Sequence, residues 1–317
     1  MRFIRVLCTA VFLAGAGLQP AVALPAGLPS EYVVPGDRAF PGGIAYDPSR
    51  RRFFVGSTQE GTLFEGNPSL PRASVWLPGG AAGRSTTSGL EIDRQDRLYV
   101  GGGPTGKLWI HDLSSRRLLV TLQGLTGGFV NDLTIAQDGT AYATDSLAHV
   151  VYRIELHDGR WRMEPWLDLR STGVELRDGH NFNGIIAATR ETLLTVNSQT
   201  GRLYRIDIST RAITELQTDA EPLFGGDGLV LRDGTLYVVQ GGLSAQSPRA
   251  QVAVLALAPD LSSASLRSVI QRPDFRHPST ARLIDDRLLV VNSQYATGQA
   301  GGQPDLPFTI SVIVCYL

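Results

Sequence analysis

FVNDLTIAQDGTAYATDS, Phe129 to Ser146, holds two short runs with strand character, Asn131–Ala136 and Thr140–Ser146, joined by the turn Gln137-Asp138-Gly139. The second run is rich in β-branched and aromatic residues, and the turn supplies the Asp-Gly pair that a tight hairpin favours. Five other segments follow the same plan. Aligned on their starts, the six begin Gly42-Gly43-Ile44, Ser88-Gly89-Leu90, Asn131-Asp132-Leu133, Asn183-Gly184-Ile185, Asp227-Gly228-Leu229 and Thr280-Ala281-Arg282. Each start leads into a short apolar strand, a polar turn, and a strand such as RFFVGS, LLTVNS or LYVVQG. A third strand comes next, and usually a fourth.

No segment after the first two dozen residues carries the 3.6-residue period of a long amphipathic helix. Four short strands repeated about every 45–50 residues are the signature of a β-propeller, here six-bladed with four-stranded antiparallel blades. A single blade cannot bury both faces, so neighbours must stack and the ring must close. The sixth unit has no fourth strand after Phe308–Val314, whereas an orphan strand, Ser30–Pro35, precedes the first unit. That N-terminal strand is expected to complete blade six and remove an open sheet edge. Residues 24–317 form the propeller on this reading.

Residues 1–23 read as a cleaved signal peptide. Arg2 and Arg5 make a basic start, Val6–Leu18 is apolar, and Ala21-Val22-Ala23 suits a signal peptidase. The expected location is secreted or periplasmic. Cleavage leaves one cysteine, Cys315, and so no intramolecular disulfide; the core must hold without one. The near-neutral charge, formally −1, includes no basic cluster and gives no electrostatic case for nucleic acid or an acidic membrane. A small-molecule substrate or ligand is the expected partner.

The first strand of each blade lines the central channel, so Asn131, Asn183 and Asp227, opening three consecutive blades, should point toward one axis. Three oxygen side chains form a partial shell for a hard cation, Ca²⁺ first, with Zn²⁺ or Mn²⁺ as alternatives. For proton transfer the rim offers His180, three residues before Asn183, and His277, three before Thr280. Asp132 is expected to face away from its neighbour by strand alternation. Glu91 stands mid-strand where the other repeats have Ala45, Thr134, Ile186, Val230 and Leu283. It reads either as an ion-pair partner or as a site residue. Asp145-Ser146, Asn197-Ser198 and Asn292-Ser293 read as turn formers. Gly101–Lys107 mimics a phosphate loop, but Leu108 replaces the hydroxyl residue and a strand follows instead of a helix. There is no Gly-x-Ser-x-Gly elbow and no His-Glu-x-x-His.

With NDL, NGI and DGL opening blades three to five and VNSQTGRLYRID-type strands behind them, the chain resembles the regucalcin–gluconolactonase superfamily of six-bladed propellers. The resemblance implies a divalent metal on Asn131, Asn183 and Asp227, and a hydrolase of lactones or related esters in which Asp227, His180 or His277 assists proton transfer. The family's fourth ligand, a Glu of blade one, falls on Gly42 here. That departure supports a second expectation: a non-catalytic ligand- or partner-binding propeller that has lost the full metal site. Metal-free strictosidine-synthase-like propellers are a third, related pattern.

Overall fold

The computed structural model describes residues 27–242 and 249–315. The expected signal peptide lies outside the described residues. The chain winds into six sheets in sequence order around a central channel. In blade three the order from the channel outward is Val130–Ile135, Ala141–Asp145, Val150–His157 and Arg160–Asp168, all antiparallel. Five blades have four strands, and blade five gains a short fifth, Gln217–Thr218, parallel to its outer strand.

The ring closes as the orphan strand suggested. Glu31–Val34 pairs antiparallel with Phe308–Val314, placing Glu31 opposite Ser311 and Val34 opposite Phe308. A buried bond reinforces the joint: Arg287 Nη1 of blade six donates to the Tyr32 hydroxyl at 3.0 Å, and that hydroxyl donates to Pro68 O of blade one at 2.8 Å.

Second- and third-strand residues alternate between the two faces of each blade, so every blade buries apolar side chains on both. The core is therefore divided into six clusters, one per blade interface. Phe40, Phe53 and Val55 of blade one meet Leu289, Phe308 and Ile310 of blade six. Tyr142, Val151 and Trp166 of blade three meet Phe182, Leu193 and Tyr204 of blade four, with Trp166 edge-on to Tyr142 at 4.9 Å. The turn pairs do what short polar side chains do after a strand. Asp145 Oδ1 accepts from the Leu147 and Ala148 amides, and Asn197 Oδ1 from those of Gln199 and Thr200. These residues hold the loops that surround one mouth of the channel.

Candidate metal and ligand site at the channel mouth

A repeated β-bulge shapes the mouth. Val130 pairs with Asp145 and Leu133 with Ala143, so Asn131 and Asp132 together face the single Thr144. The same extra residue occurs in the inner strands of blades one, four, five and six. A bulge sharpens the local twist and breaks the alternation of side chains. This overturns the expectation for Asp132, which lines the same cavity as Asn131 instead of facing away. At the second bulge position blades one, four and five carry glycine because the neighbouring backbone is too close. A Cβ on Gly184 would lie 2.1 Å from Asp227 O, and one on Gly43 2.2 Å from Ser88 O. Blade three alone places a carboxylate there.

The registers also move blade six by one residue. Its bulge spans Pro278–Thr280, so Ser279, not Thr280, is the counterpart of Asn131. In the same way Arg282, not Leu283, occupies the position of Glu91, Ala45, Thr134, Ile186 and Val230. Glu91 and Arg282 face each other across the channel and form a two-pronged ion pair, 2.7 and 2.8 Å long. Glu91 is thus an ion-pair partner, and the pair crosses the channel below the mouth.

Above that pair lies a cavity of about 750 Å³. Asn131, Asn183 and Asp227 all line it. Asn131 Nδ2 donates to Asn183 Oδ1 at 2.8 Å and to Ser146 Oγ at 2.9 Å, while Ser146 donates to Phe182 O. Asn183 in turn hydrogen-bonds to Asp227. A polar chain therefore runs across three adjacent blades. Burial, reinforced by the charge of Asp132, holds the Asp227 carboxyl well above the usual carboxylate range despite the bond from Asn183. Burial likewise pushes Asp132 up to about 7, opposed by the amides of Ile185 and Leu133. The charge of Glu91 adds to that rise and the charge of Arg282 works against it.

The two rim histidines part company. His180 lines the cavity, stands edge-on to Phe129 at 4.6 Å, and is kept below its ordinary pKa by burial. Its Nε2 is buried without a hydrogen-bond partner among the described residues. His277 does not line the cavity wall; its Nδ1 lies 3.1 Å from Gly241 O. Sequence reasoning missed two residues on the wall. Ser293, 1% exposed, has an unpartnered Oγ. Tyr295 stands on the short helix α1, Tyr295–Gln299, beside the mouth. That loop is clasped at its base, where Gln294 bonds through both its amide atoms to the backbone of Asp305.

The donor set suits a hard divalent cation. Asn131, Asn183 and Asp227 offer oxygens from one arc, and Asp132 brings a second carboxyl group to the same cavity. No Arg or Lys among the described residues lines that cavity, so two desolvated carboxylates face it without a cationic partner on its wall. Among the described residues no three His, Cys, Asp or Glu side chains cluster as a metal site, so amide oxygens must complete any shell. Gly42 contributes no side chain, and a Cβ there would lie 2.8 Å from Thr58 Cγ2.

Fold and site together define a six-bladed propeller with an acidic, amide-rich cavity at one mouth. Among solved structures, the chain is similar to a calcium-binding protein, regucalcin, from Agrobacterium tumefaciens, with 16% identity, 90% of this chain and 94% of that chain covered, and a TM-score of 0.60. A gluconolactonase from Xanthomonas campestris matches at 18% identity over 88% and 87% of the two chains, TM-score 0.61. The major allergen Mala s 1 of Malassezia sympodialis matches at 15% over 90% and 96%, TM-score 0.63. At these identities the likeness establishes a shared architecture. No family model and no curated protein matches the sequence.

Proposed function

We propose that this protein is an exported hydrolase of lactones or related esters, acting at the channel-mouth cavity with a divalent cation, Ca²⁺ first. The observation that carries the reading is the convergence of Asn131, Asn183 and Asp227 on one cavity, beside a second carboxylate, Asp132, with no cationic side chain on the described wall. Asn131, Asn183 and Asp227 would hold the cation. When bound, it supplies a Lewis acid that polarises the ester carbonyl. His180 is the imidazole on this wall, kept below its ordinary pKa by burial; a proton-transfer role would need its ring to turn, because its unpartnered Nε2 is closed off from the cavity. Phe129 fixes the ring edge-on, and Ser146 holds the Asn131 amide in place. Export rests on residues 1–23.

A second reading, a binding propeller without catalysis, draws on two features. Blade one offers no side chain at Gly42, and the Asn131–Asn183 bond is satisfied without any ion. The test is to strip the mature protein with chelator, then return Ca²⁺, Zn²⁺ or Mn²⁺ while following melting temperature and lactone or aryl-ester hydrolysis. Calcium is expected to raise the melting temperature by roughly 5 °C or more at about 100-fold over its Kd and to restore hydrolysis. No response in either readout, with Asp227→Ala matching the parent protein, would leave only the binding reading.

A further inference from the structure

Helix α1 follows the second strand of blade six, next to the blade that carries Asp227. It is held at two points. At its base Gln294 spans to the Asp305 backbone, and Arg276 Nε pairs with Asp305 Oδ2 at 3.0 Å. Further along, Gly298 lies so close to the buried Phe40 ring that a Cβ there would stand 2.9 Å from it. Tyr295 therefore starts from a fixed backbone.

Thr86, Gln199, Thr280, Gln299 and Tyr295 bring to the cavity wall polar groups that make no hydrogen bond among the described residues. Two properties single out the tyrosine hydroxyl. A phenol, with an ordinary pKa of about 10, donates more strongly to a charged oxygen than an alcohol or an amide does. It also lies within electrostatic reach of the acidic arc: burial raises its pKa and the charge of Asp227 adds to that rise. The hydroxyl therefore keeps its proton at neutral pH. Because the described wall holds no Arg or Lys, a negative oxygen formed there needs an uncharged donor from the protein.

We propose that the Tyr295 hydroxyl donates a hydrogen bond to the carbonyl oxygen of a ligand on the Asn131–Asn183–Asp227 arc, most strongly once that oxygen is charged. The charge arises in ester hydrolysis when the carbonyl carbon becomes tetrahedral, and the inference rests on the proposed function for that alone. Tyr295 keeps its own proton throughout. The test is Tyr295→Phe, which removes the hydroxyl and keeps the ring. In calcium, aryl-ester hydrolysis should lose about 10²-fold in kcat with KM nearly unchanged. Two unreactive probes are titrated calorimetrically into both proteins in calcium: δ-valerolactam, a neutral carbonyl, and phenyl methylphosphonate, whose charged tetrahedral oxygens imitate the transition state. The variant should bind the phosphonate about tenfold more weakly, and the lactam within about twofold of the parent. Both probes meet the same preparation, so the ratio of their affinities does not depend on how much of the variant is folded. An unchanged ratio or an unchanged kcat overturns the proposal, as does a phosphonate that fails to bind the parent protein. Hydrolysis by the parent with an unchanged ratio keeps the hydrolase and removes Tyr295. A shifted ratio without hydrolysis by the parent removes the hydrolase and leaves Tyr295 as the donor.

Discussion

Asp227→Asn is expected to lower calcium-dependent lactone hydrolysis by about 10²–10³-fold, the cost of losing one preorganised electrostatic element at a reaction centre. The same substitution should make the metal-free protein more stable at alkaline pH. The Asp227 carboxyl is held well above its ordinary range by burial and by the charge of Asp132. It therefore gives up its proton later in the folded protein than in the unfolded chain. Metal-free stability must fall as pH rises from the unfolded value, near 4, toward the folded value. Asparagine does not titrate and abolishes that part of the fall. Melting curves of the chelated protein between pH 4 and 9 should converge for parent and variant at low pH, with the variant higher at high pH. The calcium-induced rise in melting temperature should shrink in the variant. A variant that melts below the parent at every pH, yet keeps its hydrolysis, would show that Asp227 is structural.

The second large effect concerns the ion pair across the channel. Glu91→Ala would leave the Arg282 guanidinium without its two-pronged partner. Breaking a fully buried pair costs about 3–5 kcal/mol. The Arg282 side chain is 31% exposed and Glu91 13%, so a smaller loss is expected: about 2–3 kcal/mol, or roughly 5–8 °C in melting temperature. Replacing both residues by leucine should recover most of that loss, because two apolar side chains leave no charge stranded. Thermal melts of Glu91→Leu, Arg282→Leu and the variant carrying both form a cycle. If their effects simply add, the pair contributes nothing of its own. Because the charge of Glu91 raises the Asp132 pKa and that of Arg282 lowers it, Glu91→Ala should also bring the Asp132 carboxyl down from about 7.

The blades were legible because they repeat: a strand that alternates with period two and ends in a polar turn is recognisable six times over. Closure was legible from an arithmetic gap, one strand missing at the end of the chain and one spare at its start. The site was only half legible. Asn131, Asn183 and Asp227 could be found by superposing repeats, and the structure places all three on one cavity. Asp132 could not, because a bulge changes which way a side chain points without changing the local sequence pattern, and alternation was the wrong rule there. The same device hid Arg282. A slip of one residue in blade six set Leu283 opposite Glu91 and left the arginine unassigned. The signal was present as a lone arginine in the apolar strand Pro278–Ile284, matching a lone glutamate in Leu90–Ile92. His180 and His277 were equivalent by spacing from their strands. Only the packing of Phe129 and the carbonyl of Gly241 separate them, and both are contacts between loops.

The pairing of Glu31–Val34 with Phe308–Val314 also bears on how the protein reaches its destination. Contacts between the two ends of a chain are the slowest to form, since the whole polymer must close on itself first. A chain exported as proposed would be threaded through a narrow conduit before its final segment is available. In such a chain, pairing Phe308–Val314 with Glu31–Val34 would defer the locking step until both strands have crossed, so the topology itself would keep the chain passable in transit.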